Sequence, residues 1–147
     1  MKRLCGMLVA ALVIVGIAAT PAEAATTTTI EHGAAHLALA YAGRPYVYGG
    51  SGPRGFDCSG LVRYVYRRKG LWLPRTADAM YHSRKLKRVP RASARRDDLV
   101  FWVSGGHAYH VALFIKGRRI VHTGDARGVR VTKWWGTPVF KRPRSLV

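Results

Sequence analysis

The stretch Asp57-Cys58-Ser59-Gly60-Leu61-Val62-Arg63-Tyr64-Val65 reads as the opening of an amphipathic helix. Asp57 is a good N-cap, because its carboxylate can accept a bond from a backbone N–H of the first turn that has no partner within the helix. Leu61, Val62 and Val65 stand at i+3, i+4 and i+7 from Cys58, so the thiol shares the apolar stripe. Arg63, Arg67 and Arg68 fall largely off that stripe, and Gly70 can close the helix. This spacing puts a cysteine in the first helical turn, aimed at whatever the helix packs against.

Upstream, Gly43 to Gly55 is rich in glycine and proline and reads as a loop that embeds Tyr46 and Tyr48. Before it, Ala34, Leu37, Ala38 and Tyr41 carry the helical period and predict a helix over Glu31–Ala42, ended by Gly43. Downstream, Thr76 can cap a short helix through about Ser83. From Asp98 onward the texture changes. Leu99–Val103, His110–Ile115, Arg119–Thr123 and Val129–Thr132 are short, β-branched or aromatic, and separated by turns that carry glycine. Helices first and strands afterwards predict an α+β domain, with N-terminal helices packed on a C-terminal antiparallel sheet.

The chain has 147 residues, 48% apolar and 22% charged, which fits one globular domain. Its cysteines are Cys5 and Cys58, which excludes a disulfide scaffold and a four-cysteine metal site. Lys2 and Arg3 precede the apolar run Leu4–Thr20, and Ala22 and Ala24 give the small-x-small pattern of a cleavage site. The expected organisation is a signal peptide over 1–24, a flexible linker over 25–30 and a folded domain over 31–147. A membrane anchor is the competing reading of the apolar run, but no basic stop-transfer cluster follows it. The expected protein is secreted, with no transmembrane anchor, and works outside the cytoplasm with Cys58 as its one thiol. An unpaired thiol is exposed to oxidation in such a compartment, so it needs a reason to be there.

Chemistry supplies one. A cysteine at a helix N-terminus feels the positive end of the helix dipole. With a histidine beside it, its pKa is expected to fall from about 8.5 into the range of roughly 3.5–7.5. His110 opens one predicted strand, with Ala112 and Phe114 on its face, and His122 ends the next. A three-residue loop between these strands would pair Ile115 with Arg119, and so Ala112 with His122, leaving both histidines on one face. A two-residue loop would send them to opposite faces. With a shared face, Cys58, His110 and His122 make a nucleophile, a base and an orienting group.

The ordered motifs Tyr46-Val-Tyr-Gly-Gly50, Asp57-Cys58-Ser59-Gly60, Leu73-Pro74-Arg75-Thr76, Asp98-Leu-Val-Phe-Trp102, His110-Val-Ala-Leu-Phe114 and Ile120-Val-His122 resemble those of the NlpC/P60 cell-wall peptidases. The resemblance covers roughly Ala34 to Pro143 and implies a papain-like cysteine hydrolase fold. It implies that Cys58 is the nucleophile, His110 the general base and His122 the residue that orients the imidazole. Tyr46 matches the tyrosine near the oxyanion, and Asp57 and Ser59 match positions that help recognise the substrate peptide. The implied bond joins the γ-carboxyl of D-glutamate to the following diamino acid of a peptidoglycan stem peptide. Three positions depart from the family pattern: Asp97 replaces a turn glycine, Ala112 a strand glycine, and Met80 a glutamine.

Two other functions compete with this one. One is a non-catalytic cationic wall-binding protein. The other is an amidase or antibacterial effector that cuts a different linkage. No metal and no cofactor are expected. His32 and His36 are spaced i, i+4 but lack the glutamate of a zinc protease. His107 could complete a zinc site with Cys58, His110 and His122, and His82 reads as solvated. Trp134 and Trp135 read as core rather than as a carbohydrate platform. The net charge of +18 is spread along the chain and fits anionic cell-wall polymers beside peptidoglycan. No specific nucleic-acid motif is present, and a monomer is expected.

Overall fold

The computed structural model describes residues 33–146, so the expected signal peptide over 1–24, the linker over 25–30, Cys5, Glu31 and His32 lie outside the described residues. Helix α1 (Ala34–Leu39) is followed by a small hairpin of β1 (Ser51–Gly52) and β2 (Gly55–Phe56). Helices α2 (Cys58–Arg67) and α3 (Ala77–Tyr81) come next. The strands are β3 (Leu86–Val89), β4 (Leu99–Ser104), β5 (His107–Lys116), β6 (Arg119–His122), β7 (Arg130–Lys133) and β8 (Val139–Pro143). They form one antiparallel sheet in the order β3-β8-β4-β5-β6-β7. The fold is α+β, with the helices on one face of the sheet.

Helix α2 forms as its sequence dictates. The Gly60 N–H donates to Asp57 Oδ1 at 2.6 Å, closing the N-cap. Leu61, Val62 and Val65 are buried against Leu99, Phe101, Val111 and Leu113 of the sheet. Each such side chain contributes about 1.5–3 kcal/mol relative to exposure. Gly60 has a local reason: a Cβ there would stand 1.9 Å from the Gly50 carbonyl oxygen, so only glycine lets the Gly-rich loop lie against the first turn.

Helix α1 is shorter than expected. The N–H groups of Tyr41 and Ala42 bond three residues back, to Ala38 and Leu39, and Gly43 leaves the helix at φ 83°. Strands β3 and β8 were not anticipated, because Leu-Lys-Arg-Val and Val-Phe-Lys-Arg-Pro carry charge where a buried strand should not. Tertiary pairing reverses that objection. Arg142 of β8 donates to both carboxylate oxygens of buried Asp98, at 2.7 Å each, and to the Ser93 carbonyl oxygen at 2.9 Å. Pro143 sits at the strand end, opposite Leu86.

Asp97, one of the departures from the family pattern, occupies φ 76°, a left-handed conformation that aspartate tolerates better than most residues. Its side chain is also used: Oδ1 accepts the Ala35 N–H at 2.7 Å, satisfying the start of α1. Its carbonyl oxygen accepts the Tyr66 hydroxyl.

The β5–β6 hairpin corrects one expectation and keeps its consequence. Lys116 pairs with Arg119, so the turn has two residues, Gly117 and Arg118, rather than three. A bulge at Ile115 then absorbs one residue, and beyond it Leu113 pairs with Val121. That is the register a three-residue loop would have imposed, and it returns His110 and His122 to one face.

Candidate active site

Cys58 lies in the first turn of α2, part-buried, with its sulfur against the backbone N–H of Val111 on β5. It opens onto a cavity of about 500 Å³ lined by Tyr46, Asp57, Ser59, Arg75, Asp78 and Tyr109, among others. Burial pushes the thiol pKa up, and the Asp57 charge adds to the rise. The N–H groups of Val111, Ser59 and Cys58 pull the other way without prevailing. The direction is opposite to the expected drop: burial of the sulfur raises the thiol pKa more than these N–H groups lower it. The Tyr46 pKa is also raised, by burial first and then by the neighbouring Cys58 and Asp57 charges, which places its hydroxyl in the same electrostatic environment.

Asp57 does more than cap the helix. Arg75 grips it with a fork, Nη1 to Oδ1 at 3.0 Å and Nη2 to Oδ2 at 2.6 Å, and Nη1 also donates to Ser59 Oγ at 3.1 Å. The Ser59 hydroxyl in turn donates to Asp57 Oδ1 at 3.2 Å. These bonds hold the carboxylate below its usual pKa against its own desolvation. Sequence reasoning assigned Arg75 no role. The available signal was a lone arginine inside the Leu73–Thr76 motif.

The imidazoles form a separate chain. His110 Nε2 lies 3.0 Å from His122 Nδ1, and His122 Nε2 lies 3.1 Å from Thr132 Oγ1 on β7. Both rings are lowered to about 4, His110 by burial, then by His122 and Arg130, and His122 by burial and then Arg130. Arg130 is itself held by Asp125, Nη1 to Oδ1 at 2.8 Å and Nη2 to Oδ2 at 2.7 Å. Trp135 stacks on Trp102 with ring centroids 4.2 Å apart, and both flank His110. Trp134 is buried as expected, but Trp135 is 43% exposed and walls the histidine site instead of joining the core. Thr132 carried no sequence signal, since a threonine in a strand is ordinary.

No hydrogen bond joins Cys58 to His110 among the described residues. The two histidines lie on the sheet face of Trp102, Ala112 and Phe114, whereas the thiol arrives from the helix side. His110 and His122 open onto a second cavity of about 470 Å³, lined also by Arg127, Arg130, Thr132 and Trp135. The two cavities share Tyr109. Tyr109 is the extra residue of a bulge, where Trp102 pairs with His110 and Val103 pairs with Ala108. His107 does not join this set, because its Nδ1 faces Asp78 Oδ2 at 3.2 Å. His32, the expected companion of His36, lies outside the described residues.

The described part of the chain has no helix long and apolar enough to cross a membrane. Residues 43–143 match the NlpC/P60 family. The chain is 41% identical over 85 residues to the murein DD-endopeptidase MepH of Escherichia coli, covering 55% of this chain and 31% of that protein. It resembles the crystal structure of the NlpC/p60 domain of the peptidoglycan hydrolase SagA, at 36% identity and a TM-score of 0.62, covering 71% of this chain and 90% of that one. It also resembles RipD from Mycobacterium tuberculosis, described as a non-catalytic NlpC/p60 domain protein adapted to peptidoglycan binding. That match has 30% identity and a TM-score of 0.62, covering 71% of this chain and 90% of that one. The chain spans less than a third of the length of the curated relatives it matches.

Proposed function

This chain belongs to the NlpC/P60 family, and we propose that it is a secreted cysteine peptidase that hydrolyses amide bonds in peptidoglycan stem peptides. The bond we assign joins the γ-carboxyl of D-glutamate to the following diamino acid. The observation that carries the reading is a thiol in the first turn of α2, resting on the strand residue next to His110, whose ring is tied to His122 and Thr132. The 1–24 segment serves as the export signal and 25–30 as a linker ahead of the catalytic domain.

Both histidines, their pKa values lowered to about 4, are neutral at pH 7 and able to accept a proton. With His110 Nε2–H donating to His122 Nδ1, and His122 Nε2–H donating to Thr132 Oγ1, Nδ1 of His110 is left with a free lone pair. The proton transfer requires Cys58 and His110 to meet beside Tyr109, the residue that the two cavities share. Sulfur adds to the carbonyl carbon as its proton passes to His110. The oxyanion takes bonds from N–H groups at the start of α2, assisted by Tyr46. Collapse expels the amine, which leaves with the proton from His110, and a thioester remains. Water attacks it with His110 again as base, freeing the acid and restoring the thiol. Asp57 and Ser59, braced by Arg75, hold the peptide on the acyl side.

The likeness to non-catalytic RipD supports a second reading, a cationic wall-binding protein on the same scaffold. Mass spectrometry of purified peptidoglycan after incubation separates the two. The peptidase releases fragments split between D-glutamate and the diamino acid, and Cys58→Ala releases none. Intact wall with both proteins establishes the binder, and a different fragment names another linkage.

A further inference from the structure

Outside the cysteine and histidine sites, one cluster of metal-ligating side chains stands apart among the described residues. Asp78 and His82 are spaced i, i+4 and meet on one face at α3, with Asp78 Oδ1 3.5 Å from His82 Nε2. His107 comes from the first position of β5 and places Nδ1 3.2 Å from Asp78 Oδ2. One ligand atom from each of the three lies within 4.8 Å of the other two.

These separations fit a metal. With metal–nitrogen bonds of about 2.0–2.1 Å and metal–oxygen bonds of about 2.0–2.2 Å, neighbouring ligands of a tetrahedral ion stand roughly 3.3–3.5 Å apart. The contacts run to different oxygens of Asp78, Oδ1 to His82 and Oδ2 to His107, and with one ligand atom from each residue already within 4.8 Å of the others, side-chain rotation alone brings a single oxygen and both nitrogens to that spacing. The scaffold behind them is fixed. Thr76 caps α3 by accepting the Ala79 N–H at 3.1 Å. His107 is delivered by a two-residue hairpin, Gly105 and Gly106, both at positive φ, with Ser104 paired to His107. The Ala108 N–H donates to Asp78 Oδ1 at 2.9 Å, the kind of outer bond that orients a ligating carboxylate.

We propose that Asp78, His82 and His107 form a binding site for a transition-metal dication of the zinc class, with the fourth position left to water or to a donor from a ligand. On binding, His82 Nε2 gives up its contact with the Gly106 carbonyl oxygen, now 3.2 Å away. Two imidazoles and one carboxylate select zinc or cobalt over calcium and magnesium, which take oxygen ligands in larger number. Asp78 and Ala108 also line the Cys58 cavity, so the ion sits at its rim and fastens α3 to the start of β5. The proposal does not depend on the peptidase reading.

The test is calorimetric titration of Zn²⁺, and visible absorption with Co²⁺, on the full chain carrying Cys58→Ala so that no thiol competes. The expected result is one ion per chain, a tetrahedral cobalt spectrum, and a melting temperature raised by Zn²⁺ but not by Ca²⁺. Adding His107→Ala or His82→Ala weakens binding at least tenfold and removes the cobalt spectrum. The side chains of His82 and His107 are 58% and 79% exposed, so neither change threatens folding. Asp78→Asn keeps the side-chain acceptor for Ala108 and weakens the metal alone. Unchanged affinity in the His107→Ala protein overturns the proposal, as does equal stabilisation by Ca²⁺ or no binding at millimolar Zn²⁺.

Discussion

His110 Nε2 and His122 Nδ1 stand 3.0 Å apart across neighbouring strands, and His122 carries the chain on to Thr132 Oγ1 at 3.1 Å. If His110 is the base, His122 acts through it and not on substrate. Cys58→Ala and His110→Ala should each lower kcat by about 10²–10⁴-fold or more, the contribution of a general base being of that order. His122→Ala should cost less, about tenfold, the value of one hydrogen bond of about 1–1.5 kcal/mol, with KM unchanged. His122→Asn should recover part of the loss. Steady-state kinetics on a soluble stem peptide decide it, and a His122→Ala defect confined to KM would remove the positioning role.

Burial holds both imidazoles at about 4 rather than the ordinary value of about 6.5. The acid limb of kcat/KM should therefore rise through about pH 4 and be flat by pH 6. Stability has the same sign. Between about pH 6.5 and 4 the unfolded chain binds protons that the folded chain refuses, so stability is lost as pH falls through that window. Thermal melts at pH 7 and 4.5 measure the loss, and a double His110→Gln, His122→Gln variant should show a shallower decline.

The same desolvation raises the Cys58 thiol. Iodoacetamide should label Cys58 more slowly than free cysteine at pH 6, with the rate still climbing at pH values where free cysteine has levelled off. Faster labelling than free cysteine at pH 6 would mean a resting thiolate.

Arg75 braces Asp57 and Ser59 with three bonds of 2.6–3.1 Å. Its side chain is 34% exposed, so solvent screens the pair and little folding energy rests on it. Arg75→Lys keeps the charge but loses the fork, and should raise KM with a nearly unchanged melting temperature. Asp57→Asn should keep the helix cap while Asp57→Ala loses about 0.5–2 kcal/mol. Comparing melts with kinetics for the three variants separates the cap from the substrate role.

Asp98 and Arg142 have side chains only 2% and 11% exposed and are joined by two bonds of 2.7 Å. Removing one partner strands a buried charge. Arg142→Ala should destabilise the domain by about 3–5 kcal/mol, read by chemical denaturation. A loss below about 1 kcal/mol would show that water reaches the carboxylate.

Much of this protein was legible locally. The cap at Asp57, the stripe of Leu61, Val62 and Val65, the four strands β4 to β7 and the order of motifs depend on neighbours in sequence, and the structure keeps them. What sequence could not give depended on distant partners. Strands β3 and β8 look too basic to be strands until β8 is seen to pair with both β3 and β4, with Asp98, just before β4, neutralising Arg142. Arg75 and Thr132 gain meaning only beside Asp57 and His122. The Ile115 bulge is invisible in a pattern, yet it sets which face His122 occupies. The direction of the Cys58 pKa shift depends on distant partners in the same way. A helix dipole can be read from position in a helix, whereas desolvation is the sum of everything packed around the sulfur, and only the tertiary structure assembles that sum.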